Sequence, residues 1–262
     1  MTYFLSRIKV YSLYLFEYLR FGEFGSAVNA IQFMLTKKSS AKAKTIRTSM
    51  GVFETRPKTL DFQYINYAYE LDVKHFIEKE KFDAFFDIGA CLGEYCVWLG
   101  QKGYRCFAFE PVYESYSMIR KNIDLNKVGD KVTALNYGLG RQHSIEHFEL
   151  DRTNLGASKR VEKASSTSQK FEINALDDVF ETLGLPKTAK ILMKIDVEGM
   201  EVEMISGGKK FFNYFDDVTL IIEEKLTGES KIVNTLNSIC QFEYGNVDKY
   251  NIYARKLAGK HA

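Results

Sequence analysis

From residue 82 onward, short apolar runs alternate with amphipathic segments. Residues 85–88, 105–109, 191–195 and 218–222 are almost continuously apolar, which is typical of strands buried on both faces. The segments between them have the spacing of packed helices, for example residues 112–127. Strands that alternate with helices predict an α/β fold with a mostly parallel sheet covered by helices on both faces.

Weaker patterns predict the remaining elements. In residues 1–36 the pattern predicts one or two helices broken near residues 22–25. Residues 37–47 are expected to form a basic connector. Residues 48–64 read as extended and turn-rich. Further strands are expected at 131–136, 145–150, 171–174, 242–247 and 250–254, and further helices at 67–81, 175–183, 198–205 and 230–239. The polar, Ser-rich segment 151–169 is too long for a simple connection and predicts a substrate loop.

A glycine turn joins the first strand of this series to a helix. Asp87 ends the apolar run, Gly89 permits a sharp turn, Gly93 precedes the helix, and Glu110 ends the next strand. The spacing lacks the close glycine pair of dinucleotide-binding folds and the Gly-Lys-Ser/Thr of a P-loop. It resembles the cofactor loop of S-adenosylmethionine-dependent methyltransferases, in which the acid would accept the ribose hydroxyls. We assign the cofactor site to Asp87, Gly89, Ala90, Gly93, Glu110 and Asn136.

Several acids stand where predicted strands end. In open α/β sheets, ligands bind beyond the carboxyl ends of the strands. Asp196 follows the strand at 191–195, and Glu223 and Glu224 follow the strand at 218–222, so these acids should converge on the rim that carries Asp87 and Glu110. Asp196 is expected to face the crevice. Glu198 either joins it there or caps the next helix through the helix dipole.

Charge is unevenly spread along the 262 residues. Residues 1–60 carry ten Lys and Arg against three acids, a net charge of +7, whereas the remainder carries −5. A mildly acidic catalytic part argues against a nucleic-acid substrate. We therefore divide the chain into a basic N-terminal extension, 1–60, and a catalytic domain, 61–262.

The start of the chain is apolar and aromatic but interrupted by charges. Its longest uncharged run, residues 24–36, is too short to cross a bilayer and lies too far in for a signal peptide. Residues 1–36 either pack on the domain or a partner, or lie on the inner face of a membrane as an amphipathic helix. Four cysteines without paired spacing suit free thiols in the cytoplasm.

Three motifs together resemble the FkbM-type methyltransferases. They are Asp-Ile-Gly-Ala at residues 87–90 with Gly93, Phe-Glu-Pro at 109–111, and Lys-Ile-Asp-Val-Glu-Gly-Met-Glu at 194–201. Asn154, Gly156 and Ser158 are similar to a substrate loop of that family, while Cys91 stands where the family often has Asn. The resemblance covers roughly residues 83–245. It implies a Rossmann-like class I fold with seven strands, S-adenosyl-L-methionine as methyl donor, and O-methylation of a sugar, glycan or natural product.

Methyl transfer to a hydroxyl requires alignment and removal of a proton. Asp196 is the first candidate for the base, with Glu198 and Glu223 behind it. A rival mechanism places a divalent metal on Asp196 and the acids at 223–224, but we favour a site without metal. Two other functions remain open: a nucleic-acid methyltransferase, and a non-catalytic cofactor-binding scaffold in a glycan-assembly complex.

Overall fold

The computed structural model describes residues 2–40, 42–153, 158–161, 165 and 168–261. The helices are α1 Thr2–Arg20, α2 Phe24–Thr36, α3 Asp61–Tyr64, α4 Leu71–Lys79, α5 Glu94–Gln101, α6 Tyr113–Asn126, α7 Leu176–Val179, α8 Glu201–Ser206, α9 Lys209–Tyr214 and α10 Glu229–Asn237, with a 3₁₀ helix at Phe180–Leu183. The strands are β1 Lys44–Thr48, β2 Gly51–Thr55, β3 Ala84–Ile88, β4 Arg105–Phe109, β5 Val132–Leu135, β6 Gly138–Gly140, β7 Ser144–Glu149, β8 Lys159–Val161, β9 Gln169–Ala175, β10 Lys190–Ile195, β11 Asp217–Glu223, β12 Cys240–Asn246 and β13 Asn251–His261.

The central sheet has seven strands in the order β12-β13-β11-β10-β3-β4-β5. The five strands from β11 to β5 run parallel, while β13 is antiparallel to β11 and to β12. The predicted seven-stranded, mostly parallel sheet is therefore confirmed. Ile88 is in register with both Phe109 and Ile195, so β3, β4 and β10 end side by side.

Apolar residues cover both faces of this sheet. Successive side chains of a strand point to opposite faces. Phe85 and Leu192 accordingly belong to one hydrophobic cluster with residues of α4, α5 and α6. Phe86 and Met193 belong to a second cluster with residues of α8, α9 and α10. Burial on both sides explains why these strands read as unbroken apolar runs, and it confirms the helices predicted on both faces.

Two features differ from the sequence prediction. A second sheet, β6-β9-β7-β8, packs Phe148 and Phe171 against Val112 and Met200 beside the central one. The connector and extended segment at 37–64 contain the antiparallel β1–β2 hairpin, followed by α3. The strands predicted at 145–150 and 171–174 correspond to β7 and β9, but β6 and β8 were missed because three residues carry little periodicity. The five-residue strands of the β1–β2 hairpin were missed for the same reason. Among the described residues, no helix is long and apolar enough to cross a membrane.

Two asparagines of α6 hold the N-terminal hairpin. Asn126 accepts the Val52 N–H (2.9 Å) and donates to the Val52 carbonyl (2.6 Å). Asn122 is completely buried, accepts the Glu54 N–H (2.8 Å) and donates to the Leu92 carbonyl (3.0 Å). Their amides extend the hydrogen bonding of β2 as a neighbouring strand would. The division of the chain at residue 60 stays a prediction.

Replacing Asn122 with Ala should lower the free energy of unfolding by about 1–3 kcal/mol, because a backbone N–H and a carbonyl would lose their partner inside the protein. Urea unfolding measures this change. Asn234→Ala, an exposed position on α10, is the control and should change the free energy by less than about 0.5 kcal/mol. Equal effects of the two substitutions would contradict the role given to Asn122.

Candidate functional site

The turn after β3 brings three strand ends into contact. The N–H groups of Gly89 and Ala90 both donate to the Phe109 carbonyl, at 3.0 and 3.1 Å, and the Asp196 N–H donates to the Ile88 carbonyl at 3.0 Å. Gly89 has φ +89°, and a Cβ built on it would lie 1.9 Å from the Asp196 backbone oxygen. Only glycine fits both this backbone angle and this close approach.

Glu110 fixes the shape of the loop. Its Oε2 accepts the Cys91 N–H (2.9 Å) and its Oε1 accepts the Val112 N–H (2.8 Å). Each oxygen keeps acceptor capacity for a further donor such as a hydroxyl. Burial raises the pKa of Glu110 to about 7, against these two backbone bonds, which lower it. Asn136 supports the same segment by donating to the Glu110 carbonyl at 2.9 Å.

Cys91, the departure from the FkbM pattern, has a buried side chain and φ +48°. Burial raises the pKa of its thiol well above the ordinary value, so the group stays a neutral thiol. Its contribution to the loop is the backbone N–H that Glu110 accepts.

The turn after β10 carries the second set of acids. Lys194 Nζ donates to Asp196 Oδ2 at 2.9 Å, and the Lys194 side chain is only 6% exposed. Burial favours the neutral amine, but the carboxylates of Asp196, Glu70 and Asp87 outweigh it and hold the pKa of Lys194 well above its usual value. The ion pair is therefore stable at neutral pH.

Glu198 was expected either to face the crevice or to cap the following helix, and its position does not agree with the cap. It has φ +50°, and α8 begins only at Glu201. Glu201, the first residue of α8, is 1% exposed and accepts the N–H groups of Gly199 (3.1 Å) and Val197 (3.4 Å), which precede the helix. Glu201 thus organises the turn. Glu198 lines both of the spaces described next.

Two adjoining spaces meet at Gly89, Asp196 and Glu198. The smaller is a cleft of about 60 Å³ lined by these residues and by Ile88, Glu110, Pro111, Val112, Gly138, Leu139, Phe148, Ser158, Ile173, Val197 and Met200. The larger is a cavity of about 350 Å³ whose other lining residues are Tyr64, Tyr69, Glu70, Asp87, Cys91, Glu94, Tyr95, Lys194, Glu223, Lys225 and Leu226. The structure thus brings together Asp87, Gly89, Glu110, Ser158, Asp196, Glu198 and Glu223 from the predicted site.

Three other predicted site residues, Ala90, Gly93 and Asn136, line neither space. Gly93 is required by packing, because a Cβ there would lie 2.8 Å from Ile119 Cγ2 of α6. Ala90 is buried in the turn, and Asn136 acts on the backbone of Glu110. Asn154 and Gly156 lie outside the described residues.

Three acid and base groups near the site were not predicted from the sequence. Glu70, before α4, accepts the Tyr95 hydroxyl at 2.7 Å. Glu94 is the first residue of α5 and is 7% exposed. Lys74 is fully buried, with its Nζ 4.9 Å from the centre of the Tyr95 ring. Their positions depend on how α4 and α5 pack over the sheet, which no local motif encodes.

Two carboxyl oxygens of this site have no hydrogen-bond partner among the described residues: Asp87 Oδ2 and Glu94 Oε2. Burial raises the pKa of Asp87 to about 7 and that of Glu94 to about 8. Buried polar oxygens normally find a donor. A cationic ligand in the larger cavity would supply donors and positive charge to both oxygens. In S-adenosylmethionine the ammonium group would supply both, and the sulfonium would add positive charge. The residues present therefore fit this cofactor.

No group of three or more His, Cys, Asp or Glu is placed to hold a metal ion in the part of the chain that the structure describes. Glu224, one acid of the rival metal mechanism, lines neither space. Asp196 and Glu223 both line the larger cavity, but among the described residues they belong to no group of three acids placed to hold a metal.

Gly89→Ala should destabilise the protein by about 3 kcal/mol or more, since the new methyl group would overlap the Asp196 backbone oxygen in addition to straining the turn. Thermal or urea unfolding measures the loss. Gly103→Ala is a matched control: Gly103 has φ +91°, but a Cβ there would meet nothing within 4 Å. It should therefore show only the cost of the backbone angle, about 1 kcal/mol. Similar losses in both variants would argue against the close approach.

Without cofactor, stability should fall as pH rises from about 4.5 to about 8. Asp87, Glu94 and Glu110 keep their protons to about pH 7, 8 and 7 in the folded protein, whereas the ordinary values are 3.8 for Asp and 4.5 for Glu. The folded state then binds more protons than the unfolded state in this window, so raising the pH favours unfolding, by a few kcal/mol in total.

Urea midpoints across this pH range measure the effect. Glu94→Gln removes one buried titrating group and should make the slope shallower. The exposed Glu181→Gln should leave it unchanged. Stability that rises with pH over this range would show that these carboxyls are not buried as described.

The site can be compared with known proteins. The sequence model of the Methyltransferase FkbM domain matches residues 87–249. Among curated proteins, no sequence matches this chain significantly. Similar solved structures include a methyltransferase FkbM from Methylobacillus flagellatus KT, with 15% identity and a TM-score of 0.46, covering 75% of this chain and 53% of that chain. The chain thus spans about half the length of that relative.

Two further solved structures are also similar to this chain. One is a precorrin-6y C5,15-methyltransferase from Geobacter metallireducens GS-15, with 14% identity and a TM-score of 0.44, covering 78% of this chain and 91% of that chain. The other is a Pyrococcus abyssi tRNA (uracil-54, C5)-methyltransferase in complex with S-adenosyl-L-homocysteine, with 10% identity and a TM-score of 0.45, covering 83% and 45%. The family match spans more than half of the chain, and the matched residues contain most of a seven-stranded, mostly parallel sheet. This chain therefore belongs to the FkbM methyltransferase family, and residues 87–249 are its methyltransferase domain.

Proposed function

We propose that the protein transfers a methyl group from S-adenosylmethionine to a hydroxyl oxygen of a sugar, glycan or natural product. The observation that carries this proposal is the position of Asp196, Glu198 and Glu223. All three line the cavity that adjoins Gly89 of the cofactor loop. Carboxylates at this place are suited to take a proton from a hydroxyl as its oxygen attacks.

Bound S-adenosylmethionine supplies an electrophilic methyl group on a sulfonium. The chain would supply the binding groups: Glu110 would accept hydrogen bonds from the ribose hydroxyls beside the smaller cleft. Asp87 and Glu94 would accept from the ammonium group in the larger cavity, where one oxygen of each has no donor among the described residues. These contacts leave Asp196, Glu198 and Glu223 to the acceptor.

The surroundings of the acids favour Glu223 as the base. Asp196 is paired with Lys194 at 2.9 Å, so its Oδ2 already accepts a hydrogen bond inside the protein. Glu223 is half-buried, and burial together with the neighbouring carboxylates Asp196 and Glu198 raises its pKa to about 7. A pKa near the working pH is the best compromise between being deprotonated and being basic. Asp196, held by Lys194, then orients the acceptor.

The charge of the cavity supports a neutral acceptor. Six carboxyl groups line it (Glu70, Asp87, Glu94, Asp196, Glu198 and Glu223), against the two lysines Lys194 and Lys225. Such a lining repels the phosphates of a nucleic acid, and it hydrogen-bonds hydroxyl groups readily. This observation favours a hydroxylated small molecule or glycan over RNA or DNA.

Glu223→Gln should lower kcat by about 10²–10⁴-fold, the usual contribution of a general base. Binding of S-adenosylmethionine, measured by calorimetry, should stay unchanged. In the wild type, kcat should rise with pH through about 7, as Glu223 loses its proton. Glu224→Gln is the matched control, because Glu224 is adjacent in sequence but lines neither space.

Methyl transfer is followed from labelled S-adenosylmethionine to a panel of saccharides with free hydroxyls, the same saccharides with blocked hydroxyls, and RNA. Transfer to the free saccharides alone supports the proposal. Transfer to RNA, or to the blocked saccharides, would refute it. Normal kcat in Glu223→Gln together with loss in Asp196→Asn would return the role of base to Asp196.

A further inference from the structure

Helices α1 and α2 present an unusual concentration of apolar side chains to solvent. Of the thirteen large hydrophobic residues that are exposed in the described part of the chain, seven belong to these two helices: Val10, Phe16, Leu19, Phe24, Val28, Ile31 and Leu35. Scattered exposed hydrophobic residues are normal, but a contiguous group marks an interaction surface.

Helix α2 shows that the exposure is not incidental. Phe24, Val28, Ile31 and Leu35 follow one another at intervals of four, three and four residues, so they share one face, and they are 66%, 64%, 44% and 80% exposed. We call these four residues the α2 stripe. The buried residues of α2 are small or polar: Ser26, Ala27, Asn29 and Ala30. A surface helix normally turns its large apolar face inward. In α2, Phe33 and Met34 pack inward against the core, and the four residues of the α2 stripe form a second apolar face that is available to a partner outside the protein.

The charges near the α2 stripe are of one sign. Arg20, Lys37, Lys38 and Lys42 are exposed and form no ion pair among the described residues. Lys37 follows α2 directly, two positions after Leu35, and Lys42 lines one cleft together with Val28. The cations therefore border the apolar face.

Both acids of the α1–α2 region are turned toward the protein. Glu17 is 6% exposed and accepts the Ser49 N–H at 2.6 Å and its hydroxyl at 3.0 Å. Glu23 is paired with Lys44 at 2.6 Å and accepts the Arg47 N–H at 3.1 Å. The outward surface therefore combines large apolar groups with uncompensated positive charge.

We propose that the α2 stripe and its bordering cations bind the surface of an anionic lipid bilayer. A helix lying flat in the interface buries its apolar face among the acyl chains and keeps its lysines at the headgroup phosphates. The thirteen residues of α2 give a contact about 20 Å long. A membrane suits this surface better than a protein, because every exposed charge at its border is positive and anionic lipids offer the complementary field. The methyltransferase would then act at a membrane surface, whatever its acceptor.

Flotation of the full chain with vesicles tests the proposal. Vesicles of phosphatidylcholine and phosphatidylglycerol in equal amounts should carry the wild type upward, and vesicles of phosphatidylcholine alone should carry far less. High salt should weaken the binding, because it screens the electrostatic part. The double variant Val28→Ser/Leu35→Ser should bind at least about tenfold more weakly to the mixed vesicles, since it removes two buried apolar side chains. Lys37→Gln/Lys38→Gln should bind about tenfold more weakly to the same vesicles.

Matched controls lie elsewhere on the surface. Ile145→Ser changes an apolar residue that is 55% exposed on β7, and Lys187→Gln changes an exposed lysine. Both should float as the wild type does, and unchanged thermal unfolding of all variants confirms that they fold. The proposal is overturned if the wild type stays at the bottom with both kinds of vesicle, or if the stripe variant floats normally. Light scattering that shows a dimer broken by Val28→Ser/Leu35→Ser, with no flotation of the wild type, would assign the stripe to contact between two copies of the chain.

Discussion

The close approach between Gly89 and the backbone oxygen of Asp196 is the constraint on which the site depends. It forces the turn after β3 against the turn after β10, and the hydrogen bonds of Gly89 and Ala90 to Phe109 tie β4 to the same point. Three strand ends are thereby fixed within one small region. The acids at these strand ends, Asp87, Glu110 and Asp196, then line the two adjoining spaces that meet at Gly89.

Burial of those acids has an energetic consequence. Asp87, Glu94 and Glu110 lie in the interior, where ionisation is disfavoured, so they resist losing their protons at neutral pH. Lys194 and Lys74 offset part of the charge, and Glu110 is further stabilised by two backbone N–H groups. The remaining imbalance favours a positively charged ligand. The ammonium group of S-adenosylmethionine would supply positive charge and donors to Asp87 and Glu94.

The sequence predicted the central sheet because its strands are apolar on both faces, and it predicted the acids at the strand ends because parallel strands share one edge. This rule placed Asp87, Glu110 and Asp196 at one edge of the sheet, and the turn after β3 indicated Gly89. Other roles could not be read locally. Gly93 is glycine because Ile119 of α6 packs against it, and Glu201, rather than Glu198, organises the turn after β10. Glu70 and Glu94 reach the cavity only through the packing of α4 and α5. Strands β7 and β9 of the second sheet were predicted, but β6 and β8 have only three residues each and give no clear pattern. The outward apolar face of α2 adds to its inward one, whereas an amphipathic surface helix usually has a polar outer face.

The central claim is that a cationic cofactor binds among carboxyls that are still partly protonated in the free protein. Calorimetric titration with S-adenosylmethionine at pH 7, in two buffers of different ionisation enthalpy, tests this directly. Binding of the cation should lower the pKa values of Asp87 and Glu94, which lie at about 7 and about 8, and release protons. The observed enthalpy should then differ between the buffers in the direction of proton release. No binding, or the same enthalpy in both buffers, would contradict the account.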